Sequence, residues 1–174
     1  MKKERLIVDG YNMIGSWPNL VQLKNQDEME EARDLLLASL SNYVGFHHIE
    51  AWVVFDAMFV PGISKQYDQY NLKVVFTAEG QTADSYIEEM MDDVVSLLYN
   101  VTVATSDLAE QRMVFQHGAL RQSAQELWRN VVRTQQVINR GDDTYTPTTY
   151  RRQSPWSHHQ MDELQRLLDD LSGE

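Results

Sequence analysis

Apolar positions along the chain follow two rhythms. Short runs dense in Val, Ile and Phe occur at RLIVD (5–9), IEAWVVFD (49–56), LKVVFT (72–77) and VTVATSD (101–107), which predicts four strands. Between and after them, apolar residues recur every three or four positions. Residues 27–44 put Met29, Ala32, Leu36, Leu40 and Tyr43 on one stripe, with acids crowding the first turn, where the helix dipole favours them. Residues 82–98 bring Ile87, Met90, Met91, Val94 and Leu98 inward, the methionines reading as core filling. Two shorter helices are predicted at 107–116 and 122–138, with Leu127, Val131 and Ile138 sharing a face. Strands alternating with helices need crossover connections, so the pattern predicts an α/β layered fold built on a largely parallel sheet.

Two stretches carry no clean period. Residues 57–71 hold Pro61 and Gly62 and read as a loop, and residues 139–158 hold two of the four prolines and read as an irregular basic arm. An amphipathic pattern resumes over 159–174 with Met161, Leu164, Leu167, Leu168 and Leu171, a helix expected to dock on or extend the domain. The division expected is therefore a domain over 1–138, the arm, and a C-terminal helix. With 43% hydrophobic residues in 174, the chain can bury one sizeable core.

Composition removes several function classes. The absence of cysteine excludes disulfides and thiolate zinc sites. The start MKKERLIVDG lacks an apolar signal core and the longest apolar run is AWVVF (51–55), so a cytoplasmic protein with no membrane partner is expected. A net charge of -11 argues against a general nucleic-acid coat. The charge is uneven: residues 119–158 carry 6 basic and 3 acidic groups, against 8 and 18 over residues 1–118. One basic edge on an otherwise repelling molecule is the reading this supports.

The acids are placed as informatively as the apolar residues. Asp9 ends the first predicted strand, Asp56 ends the second, Asp107 follows the fourth, and Asp84 sits in the first turn of the helix after the third. Ordinary structural readings compete: Asp107 could cap the helix after it, Asp84 could be a mere early helical position with Thr82 as the cap, and a cap is less expected of Asp9, where Gly10 follows and no helix is predicted at once. In an open α/β sheet, however, the carboxyl ends of the strands share one edge, and ligands bind in the crevice outside it. Acids gathered there repel one another unless a cation lies between them, and hard oxygen donors without His or Cys suit Mg²⁺ or Mn²⁺. Metal-assisted attack of water on a phosphodiester is the chemistry implied.

The runs VDGYN (8–12), VVFDA (53–57), GQTADSYIE (80–88), VATSD (103–107) and GALRQSAQEL (118–127) resemble the NYN-domain ribonucleases, relatives of the PIN nucleases, and within them the bacterial YacP-like branch. The resemblance implies a PIN-like three-layer fold with a C-terminal helical extension and an acidic metal pocket. By position, Asp9 and Asp84 would be the central metal-binding catalytic acids, Asp107 a further metal-binding acid, Asn12 a group positioning water or phosphate, and Asp56 a supporting acid. It further implies a Mg²⁺- or Mn²⁺-dependent endoribonuclease that leaves 5′-phosphate and 3′-hydroxyl ends, with mRNA in the ribosomal A site as its substrate and no small-molecule cofactor.

Candidate RNA contacts are Lys65 with Tyr67 or Tyr70 in the 57–71 loop, then Arg121, Arg129, Arg133, Arg140, Arg151 and Arg152, with Tyr145, Tyr150 and Trp156 available to stack bases. The pairs His47–His48 and His158–His159 have no zinc spacing, and Ser85 and Ser106 lack a histidine with a clear role. GYNMIG lacks the lysine of a phosphate-binding loop and the dinucleotide fingerprint. Asp9 as a covalent phosphohydrolase nucleophile is disfavoured because the expected second Asp, two residues on, is Tyr11. The alternative from another class is a non-catalytic ribosome- or RNA-binding adaptor on a nuclease-like fold.

Overall fold

The computed structural model describes residues 2–57, 70–141 and Arg166. The remainder of the expected arm and the C-terminal helix, apart from Arg166, lie outside the described residues. Five parallel strands form one sheet in the order β3-β2-β1-β4-β5, with β1 Lys3–Asp9, β2 Glu50–Phe55, β3 Lys73–Phe76, β4 Tyr99–Ala104 and β5 Leu120–Gln122. Over residues 2–57 and 70–141 it is accompanied by six helices: α1 Gly10–Ile14, α2 Pro18–Asn25, α3 Met29–His47, α4 Ala83–Val94, α5 Leu108–Gln116 and α6 Ala124–Arg140. The expected mainly parallel α/β sheet is what forms.

The two-residue period of the strands sorts side chains into two cores. Leu6 and Val8 of β1, with Val53 and Phe55 of β2, pack against α1, α2, α3 and α6 through Met13, Trp17, Leu36, Leu40, Leu127 and Val131. Ile7 and Val54 face the other way, against Ile87 and Met91 of α4 and Val114 of α5. The result is three layers, helix on sheet on helix. The chain adds β2 and β3 on one side of β1 and then β4 and β5 on the other, which makes the carboxyl ends of β1 and β4 the switch point where a crevice opens.

Several boundaries depart from the periodicity. A helix follows Asp9 at once: Gly10 allows α1 to start there because a Cβ at this position would run into the fully buried Phe55 ring. α2 was not visible in the pattern, since Leu20 is its single fully buried residue. α4 ends at Val94, short of the expected Leu98, because Val95 is extended and the Val94 carbonyl accepts a hydrogen bond from Arg5 Nη1 at 2.9 Å. Leu98 is consequently exposed. On α6 the inward position falls to Thr134, hydrogen-bonded to His47 at 2.9 Å, while Ile138 is exposed. The three-residue β5 was too short for an alternating pattern to register. Among the described residues, no helix is long and apolar enough to cross a membrane.

Candidate metal centre at the carboxyl end of the sheet

Asp9 is the last residue of β1 and shares its parity with Ile7, so its side chain belongs to the α4–α5 face. It also caps α1, its Oδ1 accepting from the Asn12 backbone N–H at 3.4 Å. Asp84 lies in the first turn of α4, freed from capping because Thr82 does that work by accepting from the Ser85 N–H. Glu110 lies in the first turn of α5 and points inward, 2% exposed. Carboxylate oxygens of Asp9, Asp84 and Glu110 all lie within 4.8 Å of one another.

The loop after β4 holds this trio in place. Thr105 Oγ1 donates to Glu110 Oε2 at 2.7 Å and accepts from the Asp107 N–H at 3.1 Å. Its carbonyl accepts from Gln111 Nε2, and its N–H donates to the Gln122 carbonyl of β5. Asn12 Oδ1 accepts from the Ser106 N–H at 2.9 Å, and Ser106 Oγ accepts from the Ala124 N–H at the start of α6. The ends of β1, β4 and β5 and the starts of α1, α5 and α6 are thus tied together around the acids.

The electrostatics are those of carboxylates short of compensation. Burial, and beyond it the Asp84 charge, pushes Asp9 up to about 6 against the opposing pull of the Asn12 N–H. Burial and then the Asp9 charge push Glu110 up to about 9. Asp84 is also raised, by partial burial and then by Asp107. Glu110 Oε1 is buried with no hydrogen-bond partner and is held beside like charges. Without a cation, a proton shared between Glu110 and Asp9 relieves the repulsion; a bound cation would replace that proton and serve all three carboxylates at once. Opposite ligands of a Mg²⁺-sized octahedron stand about 4 Å apart, so three oxygens within 4.8 Å of one another would have to close in by up to about 1 Å to share a hard divalent ion.

The four strand-edge aspartates do not converge equally. Asp9 and Asp84 meet in the trio. Asp107 stands outside it because its exposed carboxylate caps α5, accepting from the Ala109 N–H at 2.8 Å, although its charge still raises Asp9 and Asp84. Half-buried Asp56 acts on Asp84 through its charge but is likewise outside the trio. The Asn12 oxygen is spent on Ser106, which makes the residue a brace of the loop. Arg121 is exposed on β5 and donates to Gln111 Oε1 at 3.0 Å. Arg129, Arg133 and Arg140 are all exposed along α6, at spacings that put them on one stripe. Tyr70 packs partly buried against the core. Lys65, Tyr67, Tyr145, Tyr150, Arg151, Arg152 and Trp156 lie outside the described residues.

Glu110 escaped the sequence reading. Three residues after the Asp107 cap, it occupies the position of a reciprocal capping glutamate, an ordinary structural explanation. The usable signal was its phase: it shares the inward stripe with Val114, four residues on, and a carboxylate there is costly unless it binds something.

The chain matches known proteins across this whole arrangement. The profile of the family described as the YacP-like NYN domain matches residues 6–169. The protein YacP of Bacillus subtilis (strain 168) is 43% identical over 135 residues, covering 78% of this chain and 79% of that protein. A crystal structure of Rae1 (YacP) from Bacillus subtilis matches with a TM-score of 0.72 and 42% identity over 81% of this chain and 79% of that one. The structure of a single-residue mutant of the same protein matches at 0.69 with 40% identity, over 79% of this chain and 80% of that one. With profile, relative and fold agreeing over most of the chain, this chain belongs to the YacP-like NYN family and has its nuclease-like fold.

Proposed function

We propose that this protein is a divalent-cation-dependent endoribonuclease that cuts mRNA in the ribosomal A site, leaving 5′-phosphate and 3′-hydroxyl ends. The observation that carries the reading is the meeting of Asp9, Asp84 and Glu110 oxygens within 4.8 Å at the switch point of the sheet. Membership of a family with a nuclease-like fold supports it, and the A-site substrate extends the family resemblance.

Asp9, Asp84 and Glu110 would hold Mg²⁺ or Mn²⁺, which when bound lowers the pKa of its water and offsets negative charge on the phosphodiester. The residues of the chain prepare that site. Thr105 fixes one Glu110 oxygen and leaves the other for a ligand. Asn12, through Ser106, keeps the β4 loop against the end of β1 and so maintains the spacing of Asp9 from Glu110. Asp107 and Asp56 add negative charge at the rim, which favours a cation and disfavours unescorted RNA. An acidic molecule of this kind would bind bulk RNA poorly and gain its substrate by docking where the message is already held.

The test is to present mRNA to the protein free and on translating ribosomes, map the new ends, and repeat with Asp9→Asn and Asp84→Asn. Cleavage within the A-site codon, giving 5′-phosphate ends and lost in both variants, is expected. Cleavage that persists in both variants would overturn the mechanism, and ribosome binding without any cleavage would replace the enzyme with an adaptor.

A further inference from the structure

Helix α5 has a second working face. Glu110 and Val114 point inward, while Leu108, Gln111, Arg112 and Phe115 recur at the spacing of one outward stripe. With Gln116 and with Arg121 from β5, this stripe lines a groove of about 370 Å³. Leu108 and Phe115 are 71% and 82% exposed, and Phe115 has no ring partner among the described residues. Arg112 is exposed with no ion-pair partner among the described residues. Two arginines lining one groove with a bare aromatic ring are a notable local surplus on a chain of net charge -11.

From this geometry we infer that the α5–β5 groove is a subsite for single-stranded RNA, holding a nucleotide beside the cleaved bond with its base on Phe115 and its phosphates on Arg112 and Arg121. The inference rests on the reading of the acidic trio as an RNA-cleaving site. Charge complementarity selects the occupant: the groove offers cations for a polyanion and an exposed ring for an unpaired base, the combination by which single strands are held. Position supports it. Gln111, on the groove wall, hydrogen-bonds the carbonyl of Thr105, whose hydroxyl holds Glu110, so groove and acid pocket share one rigid mount. Arg121 is oriented by its hydrogen bond to Gln111. Phe115 lies seven residues beyond Leu108, about 10 Å along the helix axis, which is the reach of a nucleotide or two. The acids repel phosphate, and these arginines supply the opposite charge on a groove whose α5 wall comes from the same helix as Glu110.

The experiment uses the full chain carrying Asp84→Asn, so that RNA stays intact, and a single-stranded 4-thiouridine RNA of about 16 nucleotides, long enough to occupy the acid pocket and the groove together. Binding is measured free in solution, and photocross-links are mapped both free and with the RNA as message on stalled ribosomes. The expected cross-link falls in the tryptic segment 113–121. Phe115→Ala should weaken binding about tenfold and remove that cross-link, the effect of one lost base stack. Arg112→Gln should reduce the slope of log affinity on log salt by about 0.7, the share of one phosphate contact on a single strand. Leu97→Ala, exposed at the far end of the sheet, should change neither. Affinity and cross-links unaltered by Phe115→Ala and Arg112→Gln would overturn the inference. So would a duplex of the same sequence that binds equally well and is equally weakened, because a paired base cannot stack on the ring. Lost ribosome association with unchanged RNA cross-links would reassign the groove to a protein contact. Absence of cleavage by the unmodified protein would sink the enzymatic reading and leave the binding result to decide the groove.

Discussion

The two ends of β1 handle charge in opposite ways. Arg5, Ile7 and Asp9 alternate onto the same face of the strand. Near the start of the strand, Arg5 is fully engaged: its Nε pairs with Glu50 at 3.0 Å, its Nη1 caps the Val94 carbonyl, and its guanidinium lies 3.3 Å from the Tyr99 ring centroid. Lys73 completes the group, pairing with Glu50 at 3.4 Å and lying over the Trp52 ring. Slight burial would raise Glu50, but hydrogen bonds from Arg5 and Lys73 outweigh it and hold the carboxyl below its usual range. At the other end, Asp9, Asp84 and Glu110 crowd together and all three are raised. Balanced charge stabilises a fold, whereas concentrated charge of one sign costs stability and is retained where a ligand completes it.

The contrast can be broken by exchanging the consequences of mutation. The largest effect belongs to the acidic end: Asp84→Asn or Asp9→Asn should lower the cleavage rate at least about a hundredfold, since even outer-shell partners of a metal are worth 10–100-fold. Neither change should lower the thermal midpoint measured without metal, because each removes one member of a repelling group.

The pH dependence sharpens the same point. Asp9 and Glu110 bind protons more tightly in the folded state than unfolded, so the metal-free protein should lose stability as pH rises from about 4 through 6 and on toward 9. Mn²⁺ or Mg²⁺ should reverse this, by about 2.7 kcal/mol at a hundredfold excess over the dissociation constant, and more strongly at pH 8 than at pH 5 because binding displaces protons. Thermal melts across pH with and without the ion check it, and a metal-free midpoint that climbs between pH 5 and 9 would contradict the arrangement.

Arg5→Ala should produce the complementary result, a loss of about 2 kcal/mol in denaturant unfolding from the combined ion pair, ring contact and carbonyl cap, with cleavage rate unaltered. The smallest effect is expected for Lys73→Ala, within about 1 kcal/mol, because that pair is largely exposed.

Sequence reading reached the parallel α/β sheet, four of its strands, and helices α3, α4, α5 and α6 with boundaries a few residues off. It missed α1, α2 and β5, each too short or too thinly apolar for a period to register. For the site it named Asp9, Asp84 and Asp107 as metal acids, with Asp56 and Asn12 in support; of these only Asp9 and Asp84, after a strand and at a helix start, stand in the trio. It passed over Glu110, whose position three residues beyond a cap has an ordinary explanation.

By itself the sequence determined the layers, because alternation and helical phase are properties of neighbouring residues and depend on nothing farther away. It also determined that carboxylates would stand at strand ends. Only the tertiary structure decided which carboxylates meet. That depends on strand order β3-β2-β1-β4-β5, which sets the end of β1 beside the loop after β4, and on where each oxygen finds a donor. Asp107 spends its carboxylate on the Ala109 N–H, whereas one Glu110 oxygen remains buried without a partner among its charged neighbours.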